Sequence, residues 1–163
     1  MAIGVLLAGA LTSCGFQLAG GRPLPAAMQA TFIETTDPYS DFYRSLRKSL
    51  QQRGITLTAQ RSAATATLQI LEDATGQRVL SVSAQNIPRE FEVFYVVSFA
   101  LQGETGALID RQEYAVTRNY RFDETRVLGK SKEQRTIQAA LADDLARLVV
   151  RRLSSAQPAP ASS

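Results

Sequence analysis

The sequence has no histidine and no tryptophan, and only one cysteine, Cys14, among its 163 residues. Without histidine the chain has neither Ser-His-Asp nor Cys-His catalytic machinery, and it has no histidine metal ligand. One cysteine cannot form a disulfide within the chain, so the stability of the fold must come from packing. These absences exclude whole classes of hydrolase and metalloenzyme, and we expect no metal and no dissociable cofactor.

Neighbouring carboxylates are the remaining candidates for catalysis. They occur at Glu72-Asp73, at Glu90 and Glu92, and at Asp143-Asp144. The last pair falls on a predicted helix without a companion ligand, and the other two lie on strands or turns where charged residues are ordinary. We therefore expect a protein without enzymatic activity. A pocket that gathers two of these carboxylates with raised pKa values would instead indicate an enzyme.

The protein is mildly basic, with 18 basic and 15 acidic residues and a formal net charge of +3. The basic residues are mostly arginines spread along the chain rather than collected in a run, which argues against nucleic acid as a partner. Apolar residues make up 45% and charged residues 20% of the chain, as in globular proteins. The composition predicts one domain of ordinary size, and its charge is compatible with an anionic partner without requiring one.

The stretch before Cys14 is almost purely aliphatic from Ala2 to Leu11, and too short to span a bilayer as a helix. Leu11-Thr12-Ser13-Cys14 places small residues before a cysteine and resembles a lipobox. We therefore predict that residues 1–13 are a signal peptide and that Cys14 becomes an acylated N-terminus, which anchors the protein to a membrane. Gly15 is compatible with delivery to the outer membrane. The alternative is a short apolar N-terminus with a buried free cysteine.

Composition divides the remainder into a tether, a domain and a tail. Residues 14–25 contain Gly20-Gly21 and Pro23-Leu24-Pro25, which break regular structure and predict an extended tether. Residues 26–153 hold the apolar periodicities of a folded domain. Residues 154–163 are almost all Ser, Ala and Pro, with little to bury, so we expect a disordered tail.

Hydrophobic periodicity predicts four strands and two helices within the domain. A short apolar run at 28–33 predicts a strand, and Asp37-Pro38 predicts the N-cap and first residue of a helix that ends at Gly54. An alternating stretch at 65–83 predicts one long strand bent at Gly76, or two short ones. Phe91–Gln102 is the strongest strand, and Gly103–Gly106 predicts the hairpin into a strand at 108–122. Ser131 begins a capping-box spacing ahead of the last helix.

The apolar stripe predicted for the first helix consists of Tyr39, Phe42, Tyr43, Leu46 and Leu50. Two amphipathic helices require one apolar sheet face to cover them. The predicted fold is thus α+β, a two-layer sandwich with both helices on one face of a four-stranded, mostly antiparallel sheet. The other sheet face would be polar to mixed and free to meet a partner.

Several short runs, taken in order, resemble one known family. They are Cys14–Leu18, Arg89-Glu90-Phe91, Arg118–Asp123, Leu128-Gly129-Lys130 and Glu133-Gln134. Together with the amphipathic last helix, they make the chain similar to the LPS-assembly lipoprotein family, LptE, from Cys14 to Leu153.

The resemblance implies an outer-membrane lipoprotein on the periplasmic side. Such a protein plugs and helps to assemble the lipopolysaccharide-translocating β-barrel LptD as a heterodimer, and contacts lipopolysaccharide. A family lysine that binds lipopolysaccharide just before the last helix matches Lys130, which is equally compatible with an ordinary surface lysine. A second basic position falls on Ala84, with Arg78 and Arg89 as the nearest cations. The alternative is an accessory lipoprotein of another envelope lipid-transport system.

Overall fold

The computed structural model describes residues 22–121 and 130–156, with the side chains of Lys130 and Ser131 outside the description. Short 3-10 turns occur at Ala26–Met28 and Arg61–Ala63. The strands are β1 (Ala30–Glu34), β2 (Thr56–Leu57), β3 (Ala66–Val82), β4 (Pro88–Gly103) and β5 (Gly106–Arg121), and the helices are α1 (Asp41–Gln52) and α2 (Lys130–Ser154). The predicted signal peptide, Cys14, most of the tether and most of the tail lie outside the described residues.

The sheet has five strands in the order β2-β1-β3-β4-β5. β1 pairs in parallel with both β2 and β3, whereas β3, β4 and β5 pair antiparallel. The prediction of four mostly antiparallel strands is therefore wrong in detail, and the sheet is mixed. The missing strand is β2, which has only two residues and is defined by its hydrogen bonds to β1 rather than by its own pattern.

Both helices cover one face of this sheet, as predicted for an α+β sandwich. The core-facing side chains of β4 alternate along the strand and are all buried: Phe91, Val93, Tyr95, Val97, Phe99 and Leu101. The helices add Phe42, Leu46 and Leu50 from α1 and Ile137, Leu141, Leu145, Val149 and Leu153 from α2 to the same core. Burying these apolar side chains is the main force that holds the two layers together.

The start of α1 differs from the prediction. Ser40 is the N-cap, and its hydroxyl oxygen accepts a hydrogen bond from the Tyr43 backbone N–H at 3.0 Å. Asp37 instead accepts from the Tyr39 N–H at 2.9 Å and so shapes the turn before the helix. Because the helix begins later than predicted, Tyr39 is not on its buried stripe and is 81% exposed.

The end of α1 follows the prediction at Gly54. Gly54 has φ +81°, its N–H donates to the Gln51 carbonyl at 3.0 Å, and the Ile55 N–H donates to the Leu50 carbonyl at 3.1 Å. These two bonds form a Schellman motif, which needs a left-handed residue where glycine is favoured. Ile55 then enters the core, as expected.

The stretch predicted as one bent strand or two short ones is the single strand β3, 17 residues long. Its pairing with β4 shifts at Leu71, at Leu80 and between Ser81 and Val82, so the irregularities lie there and not at Gly76. Gly76 is paired with Phe94, whose ring lies over it: a Cβ at Gly76 would come within 2.6 Å of Phe94 Cζ. The glycine therefore allows close aromatic packing within a regular part of the hairpin.

Candidate functional site

The long β3–β4 hairpin ends in a well-bonded turn. The Ser83 N–H donates to the Ile87 carbonyl at 2.8 Å, and the Asn86 N–H donates to the Ser83 carbonyl at 2.9 Å. The Ser83 hydroxyl oxygen also accepts from the N–H groups of Gln85 and Ile87, each at 3.3 Å. Asn86 has φ +60°, a left-handed conformation that asparagine tolerates. These hydrogen bonds lie within the turn itself, so the turn holds the adjoining residues of β3 and β4 in fixed positions.

Exposed apolar side chains gather at this end of the hairpin. Val79, Leu80, Val82 and Ile87 are 38–51% exposed, and they are four of the six large apolar side chains exposed among the described residues. We call these four residues the tip patch. A cluster of exposed apolar side chains on a protein surface usually marks a contact with a lipid, a ligand or another protein.

On the helix-facing side of the hairpin, a row of paired residues connects the tip patch to the core. Val79 is paired with Phe91, which in turn is paired with Tyr120, and the rings of Phe91 and Tyr120 stack at 5.5 Å between centroids. The Tyr120 hydroxyl donates to Gln77 Oε1 at 3.1 Å. Burial, with a smaller contribution from the charge of Glu133, raises the pKa of Tyr120.

The predicted lipopolysaccharide-binding cations occupy different environments. Arg78 is paired with Glu92 on the face away from the helices, where its guanidinium lies 2.5 Å from Glu92 Oε1. Arg89 is exposed and is the extra residue of a bulge in β4, because Ser81 pairs with Glu90 and Val82 pairs with Pro88. The backbone of Lys130 begins α2, and Ala84 is an exposed residue of the turn. Arg89 thus lies next to the tip patch, whereas Arg78 lies on the face opposite to Val79.

The sheet face away from the helices carries ion pairs between neighbouring strands. Arg121 pairs with Glu90 at 2.9 Å, and Arg111 lies 3.7 Å from Glu72 and 3.9 Å from Glu113. Hydrogen bonds from Arg121 and Ser81 lower the pKa of the Glu90 carboxyl. The face is polar, as predicted, and these pairs give it little net charge. Sequence alone could not show the pairing, because pairing depends on strand register.

The carboxylates considered for catalysis are each engaged with their own partners. Asp73 accepts from the hydroxyls of Ser40 and Tyr95 at 2.5 Å and 2.8 Å. Asp144 is shared by Arg118 and Arg147, and Asp143 accepts from Ser45. Over residues 22–121 and 130–156 no group of three acidic, Cys or His side chains is arranged to hold a metal. Neither described helix is apolar over enough of its length to cross a bilayer.

The tip patch was missed by sequence reasoning. The alternation of Leu80 with Val82 was visible, but it suggested a strand with one buried face. The signal that could have found the patch is the run of apolar residues leading into an uncharged turn, Ser83–Pro88, beyond the reach of either helix. The bulge at Leu80 further changes which side chains share a face, and a bulge is seen only in the paired strands.

Comparison of the sequence with known proteins identifies a matching family model and similar proteins. The family model "LptE: Lipopolysaccharide-assembly" matches residues 28–153. A protein named LPS-assembly lipoprotein LptE from Photorhabdus laumondii is 25% identical over 140 residues, covering 86% of this chain and 76% of the relative. One of the same name from Yersinia pestis is 27% identical over 143 residues, covering 86% of this chain and 68% of the relative.

Solved structures share the fold. The solution structure of an uncharacterized lipoprotein B from Nitrosomonas europaea superposes with a TM-score of 0.70 at 24% identity, covering 86% of this chain and 91% of that one. The crystal structure of a minor lipoprotein from Acinetobacter baumannii gives a TM-score of 0.66 at 21% identity, covering 82% and 100%. At these identities the likeness supports the α+β architecture.

Proposed function

The chain belongs to the LptE family of lipopolysaccharide-assembly proteins, and we propose that it is an outer-membrane lipoprotein that plugs and helps to assemble the β-barrel LptD. In this role it also contacts lipopolysaccharide on its way to the outer leaflet. The observation that best supports contact with lipopolysaccharide is the tip patch, because it places apolar side chains and a cation together at the end of a rigid hairpin.

The chemistry of the tip suits the lipid portion of lipopolysaccharide, which carries acyl chains and phosphates. The tip patch offers apolar surface to acyl chains, and Arg89 offers a guanidinium for charge-assisted hydrogen bonds to phosphate. We propose Lys130 as a second cation, since its backbone begins α2, which packs on β4 and β5. Arg78 is a weaker candidate, because it lies on the face opposite to Val79 of the tip patch.

The rest of the molecule is consistent with a plug inside a water-filled barrel. One core joins all the described helices and long strands, which makes the domain a compact body. The outer sheet face is polar, and its charges are compensated by ion pairs, so it can lie near a polar wall without a large desolvation cost for unpaired charges. The proposal needs neither a metal nor a catalytic residue.

The partner is tested by purification from membranes. A tagged full chain, extracted in detergent, should co-purify with LptD. The Cys14→Ala variant should leave the membrane fraction while its domain keeps the same unfolding temperature, because Cys14 is proposed to carry only lipid. Co-purification with a different envelope transport complex would favour the alternative of an accessory lipoprotein of that system. Collapse of the Cys14→Ala domain would make Cys14 a core residue.

Lipopolysaccharide contact is tested at the tip patch. Replacing both Leu80 and Val82 by Ser should weaken binding of purified lipopolysaccharide by about thirtyfold, because about 1 kcal/mol of apolar contact is lost at each position. The unfolding free energy should change little, since both side chains are already about half exposed. Leu71→Ser is the matched control, being 50% exposed but far along β3 from the turn. Equal loss in the control would contradict a specific site at the tip.

A further inference from the structure

We infer that a groove between the carboxyl-terminal halves of α1 and α2 binds the anionic headgroups of phospholipids beside the membrane anchor. The inference rests on the proposed lipidation of Cys14, and it concerns a surface remote from the tip patch. The groove has a volume of about 310 Å³ and is lined by Ser49, Gln52 and Arg53 from the end of α1 and by Arg147, Val150 and Arg151 from α2. We call it the helix groove.

The parallel packing of the helices creates this groove. The Ser45 hydroxyl donates to Asp143, and further along the pair Arg53 Nη1 lies 3.4 Å from Ser154 Oγ. The two contacts therefore occur in the same order along both helices, so their carboxyl ends emerge side by side. Arginines near the two ends meet across one groove instead of being spread around the molecule.

Charge is unevenly distributed around the helix groove. The chain holds five basic and no acidic residues from Phe42 to Leu71, and three basic and no acidic residues from Leu145 to Ser163. The nearest helical carboxylates belong to Asp143, bonded to Ser45, and Asp144, shared by Arg118 and Arg147. Among the described residues, Arg53 and Arg151 form no ion pair with a carboxylate.

Helix dipoles account for only part of this arrangement. A cation near the end of a helix is favoured by the partial negative charge of the last carbonyl groups. Each helix could satisfy that preference with a cation on any of its exposed sides. The helix groove instead brings arginines of both helices to a shared concave surface with the polar side chains of Ser49 and Gln52. That combination matches a phosphate group, whose oxygens accept paired hydrogen bonds from guanidinium.

The position of the groove relative to the N-terminal segment identifies the occupant as a lipid surface. Arg53 Nη1 donates to the Arg22 carbonyl at 3.3 Å, so the chain leading to Cys14 departs from the same corner of the molecule. Arg22 and Arg53 also line an adjoining groove of about 460 Å³. The eight residue-to-residue steps from Cys14 to Arg22 reach at most about 28 Å. A lipid on Cys14 would thus keep the helix groove close to phospholipid headgroups.

A single tryptophan provides the test, because the sequence contains none. The mature chain from residue 14, made with Cys14→Ser so that it carries no lipid, receives Gln52→Trp at the rim of the helix groove. Its fluorescence is followed on titration with vesicles of phosphatidylcholine, with or without phosphatidylglycerol. We expect a blue shift with the anionic vesicles only, weakened by added salt. Asn119→Trp, an exposed residue of β5, is the matched reporter and should not shift.

Charge variants of the reporter chain separate a specific groove from net charge. Arg53→Gln with Arg151→Gln should weaken binding to anionic vesicles at least tenfold, as expected when two basic residues leave an anionic surface. Arg111→Gln with Arg121→Gln removes the same charge from the other sheet face and should weaken binding less than twofold. Circular dichroism would verify that every variant is folded before its binding is compared.

The inference is overturned if anionic vesicles fail to bind at low salt, if both double variants lose binding equally, or if phosphatidylcholine binds as well. It is also overturned if the Arg53 and Arg151 variant keeps vesicle binding and loses only co-purification of LptD, since the groove would then contact a protein. Failure of the proposed function is a separate result. It would appear as loss of LptD co-purification in the unaltered lipidated chain while the lipid-free chain still binds anionic vesicles.

Discussion

At the residue scale, Gly76 and Phe94 show how a side chain on one strand can restrict which residue fits on the next strand. The two residues are paired across β3 and β4, on the face away from the helices, and the Phe94 ring occupies the space where a Gly76 side chain would lie. Glycine weakens a strand by its backbone freedom and by lacking a side chain to pack. Here the aromatic ring of Phe94 fills that space.

We predict that Gly76→Ala lowers the unfolding free energy by about 1–3 kcal/mol, because the new Cβ would meet Phe94 Cζ at 2.6 Å. In a Phe94→Ala background the same change should cost nothing or should stabilise, since alanine is a better strand residue than glycine. Urea unfolding of the four proteins in this cycle measures the coupling. Additive effects of the two substitutions would show that the ring is not the obstacle.

At the element scale, the start of α1 is attached to the sheet by a buried polar network. Ser40 caps the helix and donates to Asp73 Oδ2, while the Tyr95 hydroxyl donates to Asp73 Oδ1 and accepts from the Phe42 N–H at 3.4 Å. Tyr95 is only 2% exposed. Burial, followed by the hydrogen bond and charge of Asp73, raises the pKa of Tyr95 well above its ordinary value. The network therefore holds Tyr95 as the neutral phenol.

The Tyr95 pKa shift predicts a specific alkaline loss of stability. As the pH rises through about 10, the unfolded chain releases the Tyr95 proton while the folded chain retains it, so the unfolding free energy must fall. Tyr95→Phe should be less stable by about 1 kcal/mol at neutral pH, because its hydrogen bonds are lost. The unfolding free energy of Tyr95→Phe should fall less steeply than that of the parent protein between about pH 9 and 11.

Denaturant unfolding across this pH range measures both the difference at neutral pH and the slopes. Tyr120, whose pKa is also raised, remains in both proteins and contributes equally to each slope. Parallel pH profiles for the parent and Tyr95→Phe would show that Tyr95 ionises equally well in the folded state.

At the scale of the whole molecule, α2 closes a core to which all the long strands contribute. Its apolar residues meet α1 on one side and β4 and β5 beneath. The last turn is part of this closure, because Leu153 is fully buried and Ala156 packs against the same core. Elements far apart in sequence therefore share one set of contacts, and we expect them to unfold together.

We predict different outcomes for two truncations near the C-terminus. A chain ending at Ala156 should unfold at the same temperature as the full chain, since it keeps every described contact of α2. A chain ending at Val150 should lose at least about 3 kcal/mol, because it removes the buried Leu153 and leaves a cavity beside it. Calorimetry measures both. A large loss in the chain that ends at Ala156 would show that the last seven residues pack on the domain.

The sequence predicted the features that depend on local pattern or on a single residue's conformation. The alternation of β4 identified its buried face, Gly54 identified the end of α1, and two amphipathic stripes required a shared sheet face. The prediction failed at β2, which is too short to carry a pattern, and at the start of α1, where Asp37 and Ser40 both have capping side chains. In each case the outcome depends on which groups the folded backbone brings into hydrogen-bonding range.

The features of the candidate site also divide into those that the sequence predicted and those that depend on tertiary structure. The sequence pointed to Arg78, Arg89 and Lys130 because cations are visible in any sequence, but it could not show that Arg78 pairs with Glu92 or that Arg89 lies in a bulge next to the tip patch. The single Cys14, the missing histidines and the family resemblance were determined by the sequence alone. The bulges, the cross-strand ion pairs, the tip patch and the helix groove were decided by tertiary structure, because each requires strand register or helix packing to bring distant residues together.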